Sequence, residues 1–84
     1  MACTACGRTQ FVDVHHIRTR AAMGPDVWEN LLPLCREHHA EMHSRGLVWM
    51  CKQYLNIFQA VETRGWTYDD VRKKYIQPEN MVRA

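Results

Sequence analysis

The sequence contains no continuous apolar stretch of 18 residues, the length that a membrane-spanning helix requires. The first ten residues, MACTACGRTQ, also lack the positively charged start and apolar stretch of a secretory signal. We therefore expect a cytoplasmic protein without a membrane partner. In that reducing compartment, closely spaced cysteines bind metal more often than they form disulfides.

An excess of one charge is also missing. The 11 Lys and Arg residues against 9 Asp and Glu residues give a net charge of +2, too mild by itself to indicate a nucleic-acid binder. We expect the 84 residues to form one small domain, and they contain no internal repeat or low-complexity segment. A domain of this size has a thin core and commonly needs a structural metal or disulfides. Four cysteines and five histidines make a metal the first possibility.

The cysteine spacing predicts a zinc site. Cys3 and Cys6 form a C-x2-C pair followed by a glycine, and Cys35 with His38 repeats the same spacing. Together they form the Cys3His ligand set of a structural zinc site. The alternative is a cluster of buried free thiols. Cys51 is left out of the site, because it falls on the apolar stripe of a predicted helix, where a free cysteine packs as a small hydrophobe.

A second pair of ligands follows on the next predicted helix. His39 and His43 are four residues apart and share one helix face, whereas His38 is turned about 100° away from His39. Such a pair needs further ligands to hold an ion, and the upstream dipeptide of His15 and His16 can supply one. The alternative is two solvated helix histidines.

Hydrophobic patterning divides the chain into short elements. It predicts strands at 11–17 and 30–34, and helices at 36–44, 47–64 and 68–76. Pro33 limits the second strand to an edge or an end. A loop of about a dozen residues, 18–29, joins the two strands.

The last predicted helix rests on a capping pattern. Thr67 and Asp70 have capping-box spacing, and Trp66 and Val71 stand at hydrophobic-staple positions. We expect that helix to stop before Pro78 and the tail behind it to fray.

The order of these residues resembles that of a known family. His15 and His16, then Asn30, then His39 and His43, framed by C-x2-C and C-x2-H, resemble the HNH endonucleases. The segments VHHI and NLLPLCREHHAEMH are especially similar to small zinc-bearing HNH proteins of phages and prophages. The resemblance implies a small α+β fold, with a ββα-metal core, a structural zinc knuckle and C-terminal helices. We expect one HNH nuclease domain over 1–84, with the knuckle and core at 1–46, covering helices at 47–76 and a tail at 77–84.

The resemblance also implies roles for individual residues. His16 would be the general base, and Asn30 would fasten the long loop through backbone hydrogen bonds. His15, His39 and His43 would hold one catalytic divalent ion: Mg²⁺, Mn²⁺, Ni²⁺ or Zn²⁺. Many members have Asp at the position of His15, and a neutral ligand there should favour zinc, nickel or manganese. The alternative for Asn30 is an ordinary turn residue.

The implied activity is metal-dependent hydrolysis of DNA that leaves 3'-hydroxyl and 5'-phosphate ends. Arg18 and Arg20 follow the dipeptide and, on an extended segment, could contact one DNA backbone. The basic run at 72–74 is interpreted as the solvated face of a helix. Sequence specificity should be weak, because the short histidine-bearing helix is committed to metal. The alternatives are a non-catalytic zinc-bound nucleic-acid or protein adaptor, and an accessory of a phage terminase in packaging.

Overall fold

The structure, a computed structural model, describes residues 1–81. Its elements are β1 (Val12–His16), β2 (Leu31–Cys35), α1 (Arg36–Arg45), α2 (Leu47–Gln53), α3 (Leu55–Thr63), β3 (Thr67–Asp69) and β4 (Lys74–Ile76). The predicted small α+β fold is confirmed. Within the described range, no helix has the length and apolar character needed to cross a membrane.

The first two strands and the first helix form the expected ββα unit. β1 and β2 pair antiparallel, with His15 opposite Leu32. Leu32 and Leu34 are fully buried beneath α1, so this face of the hairpin carries part of the core. Pro33 is accommodated because this sheet has two strands among residues 1–81, so β2 has an unpaired edge. The Pro33 carbonyl accepts a hydrogen bond from the Thr4 amide at 2.9 Å.

The core continues beneath the C-terminal half. The buried apolar side chains are Cys3, Leu32, Leu34, Cys35, Met42, Met50, Cys51, Ile57, Val61, Trp66 and Met81. Many of them are small or sulfur-bearing, and the core is as thin as the chain length predicts.

The prediction of one helix over 47–64 is wrong, because the chain breaks at Tyr54. That residue has extended backbone angles, φ −124° and ψ 106°, and it separates α2 from α3. Its hydroxyl donates a hydrogen bond to Glu41 Oε1 at 2.6 Å, and its ring packs edge-on against His38. These contacts with α1 compensate for the helical hydrogen bonds lost at the break. The apolar stripe predicted along this helix is also interrupted, since Leu55 is 66% exposed.

The helix predicted over 68–76 is also wrong, because this segment is the hairpin of β3 and β4. The carboxylate of Asp69 accepts hydrogen bonds from the amides of Val71 and Arg72, which closes a turn. Tyr68 and Tyr75 then pair across the strands at 5.4 Å between ring centroids. The local turn and the aromatic pair outweigh the helical pattern.

The capping features predicted for that helix are absent as well. Val71 is 91% exposed and does not form the predicted staple with Trp66. Trp66 is buried, and its indole donates a hydrogen bond to the Glu29 carbonyl at 2.7 Å. The predicted frayed tail is wrong as far as Met81, which is buried, while residues 82–84 lie outside the described range.

Candidate metal centres and catalytic site

The cysteine pairs meet at one end of the ββα unit. The ligand atoms of Cys3, Cys6, Cys35 and His38 all lie within 4.8 Å of one another. His38 Nδ1 lies 3.2 Å from the Cys35 sulfur and 3.7 Å from the Cys3 sulfur. Tetrahedral zinc with ordinary Zn–S and Zn–N bonds separates such atoms by about 3.6 Å. These four residues fit a structural zinc ion, as the sequence predicts.

Local backbone geometry sets up the knuckle. Gly7 has φ +80° and its amide donates to the Cys3 carbonyl at 2.8 Å, which turns the chain between the two cysteines. The amide of Thr4 donates to the Pro33 carbonyl and ties the knuckle to β2. Cys35 ends β2, and His38 lies in the first turn of α1.

The electrostatics of Cys3 favour metal binding. Burial alone would raise the pKa of its thiol, but nearby backbone amides of Cys35, Cys6 and Ala5 lower the pKa below its usual value. The thiolate is the form that binds a metal. Cys51 instead lies in the core, where burial raises the pKa of its thiol, in keeping with its exclusion from the site.

Three histidines meet on the seam between β1 and α1. Ligand nitrogens of His15, His39 and His43 lie within 4.8 Å of one another. The Nε2 atoms of His39 and His43 are 3.2 Å apart, close to the roughly 3.3 Å expected for two nitrogens on one tetrahedral ion. His15, rather than His16, is therefore the member of the dipeptide that joins the helix pair. These three residues fit one divalent ion and leave coordination positions free for water and substrate.

Asp13 orients one of these histidines. Its Oδ2 lies 3.4 Å from Nδ1 of His39. A carboxylate accepts only, so Nδ1 of His39 carries the proton and Nε2 keeps its lone pair facing the cluster. Asp13 and His15 are two residues apart and therefore lie on the same face of β1. This alternation could have identified Asp13 from the sequence as a neighbour of the histidine cluster.

His15 remains neutral at physiological pH. Burial, together with the neighbouring His39, His43 and His16, lowers the pKa of His15 to about 4. A neutral imidazole is the form that coordinates a metal.

His16 lines the same shallow recess as the three histidines, next to Arg20. Its Nε2 lies 2.6 Å from Oδ1 of Asp26. Nε of Arg20 is also near this Nε2, at 3.5 Å, but the much shorter contact to Asp26 identifies Nε2 as the donor. The remaining nitrogen, Nδ1, then carries the lone pair that can accept a proton.

Asp26 was not identified from the sequence. The hydrogen bond from His16 lowers the pKa of Asp26, and the charge of Arg20 adds to this effect. Asp26 is therefore an ionised partner that fixes the tautomer of His16. Asp26 lies ten residues after His16 in an irregular loop, so no sequence periodicity links the two residues.

The two loop arginines do not act as the expected pair. The segment is not extended, because Thr19 caps a short 3-10 turn over Arg20–Ala22. Arg20 lines the recess, whereas Arg18 donates hydrogen bonds to the Ala22 carbonyl and to Gln77 Oε1. Only Arg20 is placed beside the histidines.

Asn30 fastens the long loop from within. It is fully buried, accepts a hydrogen bond from the Arg18 amide at 2.7 Å, and donates to the carbonyls of Arg18 and Pro25 at 2.9 and 3.0 Å. Gly24 permits this close packing, since a Cβ there would lie 1.8 Å from the Arg18 carbonyl oxygen. The hydrogen bonds implied by the resemblance are present, and their consequence for catalysis stays a prediction.

Changing Asn30 to alanine should destabilise the protein by about 2–4 kcal/mol, because three buried hydrogen bonds lose a partner. Thermal melting of the zinc-loaded protein measures this loss. Asn30→Asp keeps the acceptor but loses both donated bonds, so it should also destabilise. Asn56→Ala, at an exposed position on α3, is the control. Equal melting temperatures for Asn30→Ala and Asn56→Ala would contradict the role assigned to Asn30.

Comparison with known proteins is consistent with this geometry. No curated protein and no solved structure is significantly similar to the chain. A family model described as HNH endonuclease matches residues 3–45, just over half of the chain. The matched region contains the zinc knuckle, β1, the loop, β2 and α1, and with them both metal clusters. The chain therefore belongs to the HNH endonuclease family.

Proposed function

We propose that the protein is a metal-dependent DNA endonuclease that hydrolyses phosphodiester bonds with weak sequence specificity. One observation carries the proposal: a three-histidine cluster able to hold an ion lies in the same recess as His16, whose proton-accepting nitrogen is defined by Asp26. An adaptor that only binds has no need of an oriented base beside a second metal cluster.

His15, His39 and His43 would hold the catalytic ion. When bound, a divalent ion supplies Lewis-acid stabilisation of the charge that develops on the phosphate and leaving oxygens. Asp13 keeps the His39 ring in its coordinating tautomer, and burial keeps His15 neutral. All three ligands are neutral, which favours the borderline ions Zn²⁺, Ni²⁺ and Mn²⁺ over Mg²⁺.

His16 would remove the proton from the attacking water through Nδ1. Asp26 holds the opposite nitrogen at 2.6 Å, so the ring is oriented before substrate arrives, and the carboxylate stabilises the imidazolium that forms. Arg20, 75% exposed at its side chain, is placed to contact a phosphate at the mouth of the recess.

The short helix that carries two histidines of the three-histidine cluster is poorly placed to read DNA bases. α1 is ten residues long, and its histidine-bearing face lies against β1. This supports weak specificity, since sequence is read mainly by side chains in the DNA grooves. Cleavage to 3'-hydroxyl and 5'-phosphate ends, a partnership with phage terminase or packaging proteins, and residence in the bacterial cytoplasm stay predictions.

Incubation of supercoiled plasmid with the zinc-loaded protein and a panel of Mg²⁺, Mn²⁺, Ni²⁺ and Zn²⁺ tests the function. We expect nicked or linear product only with an added ion, and ends that DNA ligase can rejoin. Intact plasmid with every ion would contradict the nuclease proposal and favour an adaptor.

Changing His43 to alanine should weaken binding of the exchangeable ion. Loss of a partner that merely supports a ligand reduces metal affinity about 10- to 100-fold, so loss of the ligand itself should cost at least that much. The ion concentration for half-maximal cleavage measures the effect. Ser44→Ala, at the next position of α1, is the control. Unchanged cleavage by His43→Ala at limiting ion would remove His43 from the site.

A further inference from the structure

Phe11 has an unusual conformation beside the zinc knuckle. Its φ of 56° lies in the left-handed region, which bulky side chains rarely adopt. The residue is 59% exposed, so burial of the ring does not account for the conformation. Strained backbone of this kind concentrates at functional sites, where the surrounding structure enforces it. The exposed ring therefore requires an explanation beyond packing.

The surroundings hold this ring and two arginines together. The amide of Arg36 donates to the Phe11 carbonyl at 2.9 Å, and the Arg8 carbonyl accepts from the amide of Cys3 at 2.8 Å. Both arginines are thereby anchored at the knuckle and at the start of α1. We call Arg8, Phe11 and Arg36 the arginine–phenylalanine cluster.

The ring orders both guanidinium groups. Their central carbons lie 5.0 Å (Arg36) and 5.8 Å (Arg8) from the centroid of the Phe11 ring, within cation–π range. Arg8 also donates to Glu37 Oε1 at 3.0 Å. Arg36 has no ion pair among residues 1–81, so its charge is available to an external anion. An ordered, unpaired guanidinium is suited to phosphate oxygens.

The cluster lies on the same seam as the three histidines. Arg36 lies three residues before His39, and His39 lies four residues before His43. The three side chains therefore share one face of α1. Arg36 and His43 are seven positions apart on the helix, about 10.5 Å along its axis. Phe11 directly precedes β1 and lies four positions before His15, at most about 13 Å away along the chain direction. The contact between Asp13 and His39 lies between the two ends.

We propose that the arginine–phenylalanine cluster binds the phosphate backbone of the DNA substrate a few nucleotides from the cleaved bond. The proposal rests on the proposed function, since the histidine site defines where the cleaved phosphate lies. One DNA strand advances 3.4 Å per nucleotide along the duplex axis and winds around that axis as it does so, so a separation of about 10–13 Å spans only a few nucleotides. Arg36 makes the principal contact, and Phe11 holds its guanidinium in place.

DNA binding by His16→Ala protein, which should cleave very slowly under the proposed function, provides the test. Anisotropy of a labelled duplex is measured over a range of salt concentrations, with Arg36→Gln, Phe11→Leu or Arg45→Gln added. Neutralising one phosphate contact should reduce the slope of log affinity against log salt by about 0.9 and weaken binding about threefold to tenfold at low salt. We expect this for Arg36→Gln, and a smaller loss of affinity for Phe11→Leu.

Arg45 is the matched control. It lies nine residues after Arg36, on the opposite face of the same helix, and its guanidinium also rests on an aromatic ring, 4.8 Å from the centroid of Trp49. The salt slope with Arg45→Gln should remain unchanged. Plasmid that stays intact with wild-type protein would refute the nuclease function. The binding result could still be interpreted, because anisotropy does not depend on cleavage. Equal slopes for Arg36→Gln and Arg45→Gln, or a loss of affinity with Phe11→Leu alone, would overturn the phosphate contact.

Discussion

Changing His16 to alanine should lower the rate of plasmid cleavage by about 10²- to 10⁴-fold, the usual contribution of a positioned general base. Zinc content and DNA affinity should stay near the wild-type values. The reason is that His16 belongs to neither metal cluster, and its hydrogen bond to Asp26 leaves Nδ1 free to accept a proton from water. A base of this kind acts on the transition state rather than on substrate binding.

Single-turnover cleavage at saturating ion measures this effect, with Val14→Ala as the control. Val14 lines the same recess from the same strand but has no ionisable group, so its loss should change the rate little. Asp26→Asn should give an intermediate loss, because His16 would remain but its tautomer would no longer be fixed. Cleavage by His16→Ala within a few-fold of wild type would show that another group is the base.

Removal of the knuckle zinc should unfold the protein. Apparent binding free energies of structural zinc in small domains are about 10–16 kcal/mol, more than a thin core can supply by itself. The ion would join the N-terminal turn to the junction of β2 and α1, and two of its ligands, Cys3 and Cys35, are themselves core residues. Without it, the knuckle loses its strongest link to the ββα unit, and the hydrogen bond between Thr4 and Pro33 is too weak to replace that link.

Circular dichroism and thermal melting before and after chelation measure this dependence, with elemental analysis of the metal. Cys35→Ser should behave like the chelated protein, whereas Cys51→Ala should keep its zinc, because Cys51 is a core thiol outside the cluster. An unchanged melting curve after complete zinc removal would contradict the structural role.

The N-terminal half of the fold was predictable because its signals are local and mutually consistent. The paired C-x2-C and C-x2-H spacings brought four ligands together, and helical spacing alone grouped His39 with His43. Strand alternation separated His15 from His16. The backbone bonds of Asn30 came only from the family resemblance, because an asparagine before a strand does not by itself show where its amide points.

The C-terminal half was not predictable from the same patterns. A capping pattern at Thr67 and Asp70 favours a helix, but the Asp69 turn and the pairing of Tyr68 with Tyr75 produce a hairpin. Tertiary contacts of this kind override local propensity. The partners of the site residues were missed for a related reason. Asp26 reaches His16 across an irregular loop, so no sequence period links the two residues.

The proposed activity depends on an ion held by His15, His39 and His43. The most direct measurement compares ion occupancy and cleavage on one sample of zinc-loaded protein. Calorimetric titration with Mn²⁺ gives the occupancy of the exchangeable site, and plasmid cleavage is followed over the same concentrations. We predict a single exchangeable site per chain and a cleavage rate that rises in proportion to its occupancy. Full cleavage with the exchangeable site empty and the knuckle zinc retained would contradict this dependence.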